Sequence, residues 1–547
     1  MRRLVPALIC LGVLYAFLAL VALPRKAFFS SDEGLKFIQM QNALRMGWSH
    51  FALDYPGRDV DPDLTFVPIN NPPPLIRDGQ IYAVYPIAFP LLTAPLFSLL
   101  GYTGLYLIPL ASGLLSPALT ARLSRLANLD AVATALVLGL CTPLLFYSLL
   151  FWDHTLGVLL STSALLLVAT NLRAPRSWQL LLAGLILGAA VWIRTELYVM
   201  LLVVPFAYFF VSGRQARQTL MLGLGILISL LPLWLFQYLT YGNLIGPHLG
   251  HFASLGNALP VTSSRLAIIY YLLLESNSDP RFVFLYVMAF AAAATVMASP
   301  RLRHAPSVVA GVFGALIVCS LPNLRQAWSG IPMGGLIATV PFLVLVPGLL
   351  FRATLTQVDR LLLAICGGYI ALVCLTTPVD PGLQWGPRFL LPVLPLASIL
   401  ALRGFASTMQ DIRTPNRRAV IGVSLASTVV VSVLLQGSSI RLLHLIKNRD
   451  RQLIESAAQL PSAWVISDEY GYAQYVAPLF YEKVFFYVRG QGDYEQLTEA
   501  MFSHGITTYA VATYATPHRR EVDPFDVAAG YAVREVGDQL FQIGTSE

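Results

Sequence analysis

Long apolar runs, separated by short arginine-bearing turns, fill the first 440 residues, and this pattern constrains the fold more than any other feature. An apolar run of about 20 residues matches the hydrocarbon core of a bilayer, where only a helix or a closed barrel satisfies its own backbone. The arginines between runs fall in sets: Arg2/Arg3, Arg122/Arg125, Arg173/Arg176, Arg214/Arg217, Arg301/Arg303, Arg352/Arg360, and Arg403 with Arg413, Arg417 and Arg418. Two apolar runs separate each set from the next, so the positive-inside rule places every set on the cytoplasmic side. Thirteen spans follow, at 4–23, 104–120, 130–150, 155–171, 179–194, 197–212, 218–238, 282–299, 305–321, 335–351, 361–376, 389–402 and 419–436. The odd count puts the N-terminus in the cytoplasm and the tail outside. A composition of 56% hydrophobic and 12% charged residues excludes a single soluble domain, which carries about a quarter charged residues.

One apolar stretch breaks the parity. Tyr85–Leu100 holds Pro86, Pro90 and Pro95, and reads as an interfacial or re-entrant segment on the outer side rather than a span. Leu266–Leu274, before Glu275, is similar and short. Arg2 and Arg3 precede an apolar stretch too long for a signal peptide and without a small-x-small site, which predicts an uncleaved first helix. The five cysteines lie in apolar runs with no CxxC pair, the pattern of small core hydrophobes.

The predicted architecture is mainly α: a polytopic membrane domain over 1–440 with outer interfacial helices, its first outer loop at about 24–103, and a small extracytoplasmic α/β domain over 441–547. Charge follows the same division. The membrane block has 27 basic and 15 acidic residues, and the tail 9 and 14. Twelve of those 15 acids fall on the outer side, among them Asp32, Glu33, Asp153, Glu196, Glu275, Asp279 and Asp380. Isolated arginines accompany them against the positive-inside trend: Arg194, Arg265, Arg281, Arg325 and Arg388. Charges at helix ends in a membrane face polar cavities, so this set marks an outer site for a polar, anionic substrate.

Several motifs lie in that set. Phe28-Phe29-Ser30-Ser31-Asp32-Glu33-Gly34 opens a helical stretch directly after the first span, where Ser31 or Asp32 also suits a helix cap. Phe151-Trp152-Asp153-His154 and Ile193-Arg194-Thr195-Glu196 sit at helix ends, and Gln384-Trp385-Gly386-Pro387-Arg388-Phe389 precedes LLPVLPL. This combination resembles the type C (GT-C) superfamily of polytopic membrane glycosyltransferases, which includes protein O-mannosyltransferases and aminoarabinose transferases. The likeness covers about residues 1–440. It departs at Tyr82–Pro86, where aminoarabinose transferases carry Lys-Pro-Pro and this chain has no lysine.

The resemblance implies an inverting transfer of a sugar from a polyprenyl-phosphate donor to a glycan, lipid or protein acceptor on the extracytoplasmic face of the plasma membrane. Asp32, with Glu33 as rival, is the expected general base. Arg388, Arg194 and Arg325 are the expected phosphate ligands, because guanidinium donors match phosphate oxygens in pairs. Asp153, His154 and Glu196 are expected to orient those arginines or contact the acceptor. A divalent metal is left open, with His248 and His251 as candidate ligands. No Gly-rich nucleotide loop occurs, which argues against a nucleotide-sugar enzyme and an ATP-driven pump, and no nucleic-acid partner is expected. The alternative is a transporter or flippase for a lipid-linked sugar or other anion, which would show inverted repeats that this sequence lacks.

The tail changes character after Arg451. Ala463–Ser467, Lys483–Val488, Thr507–Ala512, Tyr531–Glu535 and Gln539–Ile543 read as strands, and Asp493–Gly505 as a helix. Asp468-Glu469 follows a strand and is expected to cap a helix.

Overall fold

The structure, a computed structural model, describes residues 3–250, 261–350, 355–377, 384–513, 531–537 and 540–545. Among these residues, nine helices are long and apolar enough to cross a membrane: Leu4–Ala22, Tyr102–Leu126, His154–Asn171, Ala216–Tyr241, Pro280–Ala298, Pro306–Trp328, Gln357–Thr376, Arg388–Asp411 and Pro415–Gln459. The remaining expected spans are shorter or broken. Ser177–Ile193 and Thr195–Val211 are apolar helices of less than full length. The 130–150 span divides into Ala131–Cys141 and Leu144–Ser148 around Pro143. The 335–351 span becomes Leu336–Thr339, Pro341–Leu345 and Pro347–Leu350. Proline lacks the amide hydrogen that a continuing helix needs, so these breaks fall at or beside prolines. The chain is an integral membrane protein of mainly helical fold.

Compactness divides the chain differently from the linear split at 440. One unit contains 1–23 and 106–445; the other contains 24–105 and 446–547. Residues 24–105 and the tail therefore fold together.

In the membrane unit, helix Ser177–Ile193 packs against both His154–Asn171 and Ala216–Tyr241. Its crossing with Ala216–Tyr241 is made by facing glycines. A Cβ on Gly184 would strike the Leu222 carbonyl, and one on Gly225 the Leu181 carbonyl. Small residues at such crossings let helix backbones approach in lipid, where burial offers no driving force. The indole of Trp192 donates to the Ser229 carbonyl at 3.0 Å and fixes the rotation of the helix end that carries Arg194.

In the second unit, helix Ser31–Arg45 packs on helix Ala88–Leu100. Phe37 lies at the contact, with Phe28, Phe97 and Tyr102 at centroid distances of 5.1, 5.4 and 5.6 Å. A short antiparallel hairpin, Leu75–Arg77 with Gln80–Tyr82, was not legible in the sequence. The tail forms a five-stranded sheet in the order Val484–Tyr487, Trp464–Ser467, Tyr509–Ala512, Leu540–Thr545, Tyr531–Gly537. The first three strands are parallel, with helix Gln491–Ser503 in the crossover; the last two are antiparallel. Every expected tail strand is found.

Gln474, fully buried, joins loop to tail. Its Oε1 accepts from the backbone of Asn70 at 3.2 Å and Asn71 at 2.9 Å, while its Nε2 donates to the carbonyls of Ser31 at 3.3 Å and Asn71 at 2.5 Å. Gly34 lies against the Gln474 carbonyl with no room for a Cβ. Further along, Tyr481 donates to Asn42 at 3.1 Å and carries the Arg45 guanidinium over its ring at 4.6 Å.

Candidate functional site

The expected residues form two groups, one in each unit. In the membrane unit, helix Ser177–Ile193 ends at Arg194, and helix His154–Asn171 begins just after Asp153. Arg194 Nη1 donates to Asp153 Oδ1 at 2.6 Å and lies 3.1 Å from His154 Nδ1; its Nε is paired with Glu196. The arginine stem passes beside Gly157, where a Cβ would lie in ordinary contact with it, 3.5 Å from Arg194 Cδ. The side chains of Asp153 and Arg194 are 2% and 10% exposed, so the cluster is almost dry. Two carboxylates on one guanidinium leave a net charge of −1. Arg194 thus holds Asp153, His154 and Glu196 together, with the arginine at their centre.

An aromatic step leads from this cluster to Arg388. His154 lies 4.6 Å from the Trp152 ring and 4.7 Å from Tyr147, and those two rings stack at 5.5 Å. The Arg388 guanidinium lies over Trp152 at 5.7 Å and over Phe389 at 5.2 Å. Cation–π seating of this kind holds a guanidinium in place by its face. The turn that delivers Arg388 is tightly specified. Gly386 has φ +68° and donates to Met333 at 2.7 Å, and a Cβ there would meet Pro143. Buried Trp385 donates to Gln436 at 2.9 Å, which in turn donates to the Thr339 carbonyl at 2.9 Å.

Phe389 also lines a cavity of about 300 Å³, with Thr195, Glu196, Tyr198, Val199, Leu202, His248 and Val373 in its wall. His248 Nδ1 lies 2.7 Å from Thr195 Oγ1; His251 lies outside the described residues. Arg325 lines a different cavity, with Asp279, Gln326 and Ser329, and its side chain is not drawn into the Arg194 cluster. Among the described residues no three His, Cys, Asp or Glu side chains gather around one position suited to a metal ion.

In the second unit, helix Ser31–Arg45 begins at Ser30, and no side chain caps it. Asp32 is half-buried, and its Oδ1 accepts the Tyr85 hydroxyl at 2.6 Å. Glu33 is fully buried; its Oε2 accepts from the Phe29 amide at 2.5 Å, and buried Lys447 stands within electrostatic reach. Lys36, 1% exposed, places its ammonium 4.8 Å from the Tyr85 ring centroid. A lysine thus reaches the segment that lacks one in sequence, from one turn along the Asp32 helix. Lys36, Tyr85 and Lys447 were not singled out from the sequence. Only the tyrosine in the Tyr82–Pro86 departure gave a hint.

Asp468 and Glu469 cap no helix, contrary to expectation. The next helix, Tyr472–Tyr475, starts at Gly471, whose φ of +86° suits glycine, and receives no side-chain cap. Burial, reinforced by Asp468, pushes the Glu469 carboxyl up to about 7.

This architecture matches the folds of solved structures. Among solved structures, the chain is similar to the aminoarabinose transferase ArnT from Cupriavidus metallidurans bound to undecaprenyl phosphate. The TM-score is 0.50 at 12% identity, covering 98% of this chain and 97% of that one. It is also similar to the Archaeoglobus fulgidus oligosaccharyltransferase in complex with zinc and sulfate, with a TM-score of 0.51 at 12% identity, over 92% of this chain and 68% of that one. No protein-family model matches the sequence, and no curated protein matches it. At 12% identity the likeness is one of fold.

Proposed function

We propose that the protein is an inverting glycosyltransferase that moves a sugar from a polyprenyl-phosphate donor to an acceptor hydroxyl or amine on the extracytoplasmic face. The observation that carries this reading is the seating of Arg388 over Phe389, a residue that also lines the apolar cavity of about 300 Å³. A cation beside an apolar cavity is what an amphiphile with one phosphate and a long isoprenoid tail requires. The similar transferase bound to undecaprenyl phosphate supports the same donor class.

Asp32 is assigned as the base and Glu33 as its support. A base must reach the acceptor, and Asp32 is half-buried whereas Glu33 is sealed by Phe29 and Lys447. Tyr85 orients the Asp32 carboxylate through Oδ1, and the carboxylate takes the acceptor proton. As the acceptor attacks C1 from the face opposite the phosphate, the C1–O bond breaks and its electrons pass to the polyprenyl phosphate. Arg388 is assigned to that departing charge. Arg194 acts as a positioning residue through Asp153, His154 and Glu196. General-base help of this kind is worth about 10²–10⁴ in rate.

The test is purified protein in lipid, supplied with a panel of polyprenyl-phosphate sugars and read by release of polyprenyl phosphate. Release with at least one donor, dependent on Arg388, supports the reading. Absence of release across the panel and acceptor extracts would refute it.

A further inference from the structure

The tail loop after strand Trp464–Ser467 is unexplained by the chemistry above. The three parallel strands of the tail end on one edge, where Asp468, Glu469 and Tyr470 follow the first, Val488 and Arg489 the second, and Thr513 the third. Ligands in parallel α/β sheets bind beyond the carboxyl ends of the strands. Charges converge here: burial first, then Arg489, Asp468, Glu469 and Asp493 act on the Tyr487 phenol.

The same loop runs into the residues beside Asp32. The Tyr472 amide donates to the Glu469 carbonyl at 3.2 Å, closing a turn through Gly471. A Cβ on Gly471 would lie 3.1 Å from Asn71 Cβ and 3.7 Å from Ser31 Cβ, and Gln474 then donates to the Ser31 carbonyl at 3.3 Å. Ser31 immediately precedes Asp32. Glu469 is two residues from that contact, so the two Cα positions of 469 and 471 lie within about 7 Å. The residues next to Ser31 and Gly471 in sequence, Ser30 and Tyr472, are more than nine-tenths buried, and their hydroxyls have no hydrogen-bond partner among the described residues. Buried polar groups are normally satisfied, and orphans mark places where a ligand or water completes the set. Tyr470, in contrast, is 45% exposed beside them.

A carboxyl next to an exposed aromatic ring is the combination that suits a sugar, whose hydroxyls bond the carboxyl while its C–H face lies on the ring. We propose that loop Asp468–Gly471 completes the polar site at Asp32 and that Glu469 and Tyr470 form a sugar-recognition subsite there. The occupant is a pyranose or furanose ring, either the donor's transferred sugar or a sugar on the acceptor. The inference rests on the glycosyltransferase reading, and it assigns the tail a direct part in substrate choice. Glu469 and Tyr470 are specificity-determining residues, with Asp32 retained as the base.

The experiment uses the full-length protein in detergent, as wild type, Glu469→Gln, Tyr470→Ala and Tyr470→Phe. Saturation-transfer NMR with a panel of methyl glycosides reads sugar contact without turnover. A saturation-transfer signal on at least one glycoside is expected with the wild type. It should be lost in Tyr470→Ala, weakened several-fold in Glu469→Gln and kept in Tyr470→Phe. No signal on any glycoside, or equal signals in all four proteins, overturns the subsite even if polyprenyl phosphate is released normally. In the sugar-transfer assay, Glu469→Gln should raise KM several-fold with kcat nearly unchanged. A KM change for the donor assigns the donor's sugar, and one for the acceptor assigns the acceptor's. If both KM values stay at the wild-type level, the subsite is refuted while the glycosyltransferase reading stands. If no donor is turned over at all, that reading fails and the NMR arm still decides the subsite.

Discussion

Replacing Arg194 with glutamine separates an anchoring arginine from a free phosphate ligand. The guanidinium carries Asp153 on Nη1 and Glu196 on Nε, with both acids nearly buried. The shorter, neutral amide would leave two carboxylates facing each other where one cation had bridged them. Nε–H and Nη1 point to different sides of the guanidinium, so their partners sit about 6–7 Å apart, and at an effective dielectric of about 20 their repulsion is roughly 2.5 kcal/mol. That is close to the lower end of the ~3–5 kcal/mol typical for breaking a buried ion pair. Arg194→Gln should therefore lower the thermal unfolding temperature in detergent sharply, measured by size-exclusion recovery after heating. Asp153→Asn should cost less, since Arg194 and Glu196 still neutralise each other. The double variant Asp153→Asn/Arg194→Gln should recover part of the loss, because only one carboxylate remains. Were Arg194 a free ligand for substrate phosphate, Arg194→Gln would unfold at the wild-type temperature and raise only the donor KM. That result would refute the anchoring argument.

Other outcomes follow from the second unit. Gln474→Ala should destabilise the joined loop and tail by roughly 2–6 kcal/mol, since four hydrogen bonds worth ~0.5–1.5 kcal/mol each are lost; limited proteolysis should then release tail fragments at lower protease concentrations. Gly34→Ala drives a methyl into the Gln474 carbonyl and should show the same proteolytic sensitivity, while Gly490→Ala, with nothing within 4 Å of its Cβ position, should not. Glu469→Gln carries a pH signature. The folded protein holds a proton on Glu469 up to about pH 7 that an unfolded chain releases near 4.5, so folded stability falls as pH rises through that window. Because the group is partly solvated, the effect after screening is about 1 kcal/mol. Glu469→Gln should therefore unfold at a higher temperature than wild type at pH 8 and at the same temperature at pH 4.

The membrane helices were legible because each feature that makes them is local. An apolar run, a flanking arginine and a proline break can each be read within about 20 residues. Tail strands were legible for the same reason. The joining of residues 24–105 with 446–547 was not, because it rests on Gln474 and Tyr481 meeting backbone and side-chain atoms some 400 residues earlier. The site shows both cases. Asp153, Glu196, Arg194 and Arg388 announce themselves as charges in apolar surroundings, but nothing in the sequence pairs Arg194 with two acids rather than with substrate. Lys36 and Tyr85 look like ordinary members of an amphipathic helix and a proline-rich turn. Only folding places the lysine over the tyrosine and the tyrosine on Asp32. Asp468-Glu469 misled in the other direction, since a carboxylate after a strand usually caps the next helix and here Gly471 takes that place.

The central claim is that Asp32 is the base of a transfer from a polyprenyl-phosphate sugar. Its most direct measurement is single-turnover transfer by Asp32→Asn at saturating donor, alongside donor binding by the same protein in the same lipid. The account predicts at least a ~10²-fold slower transfer with donor affinity within a few-fold of wild type. Transfer by Asp32→Asn at the wild-type rate would contradict it.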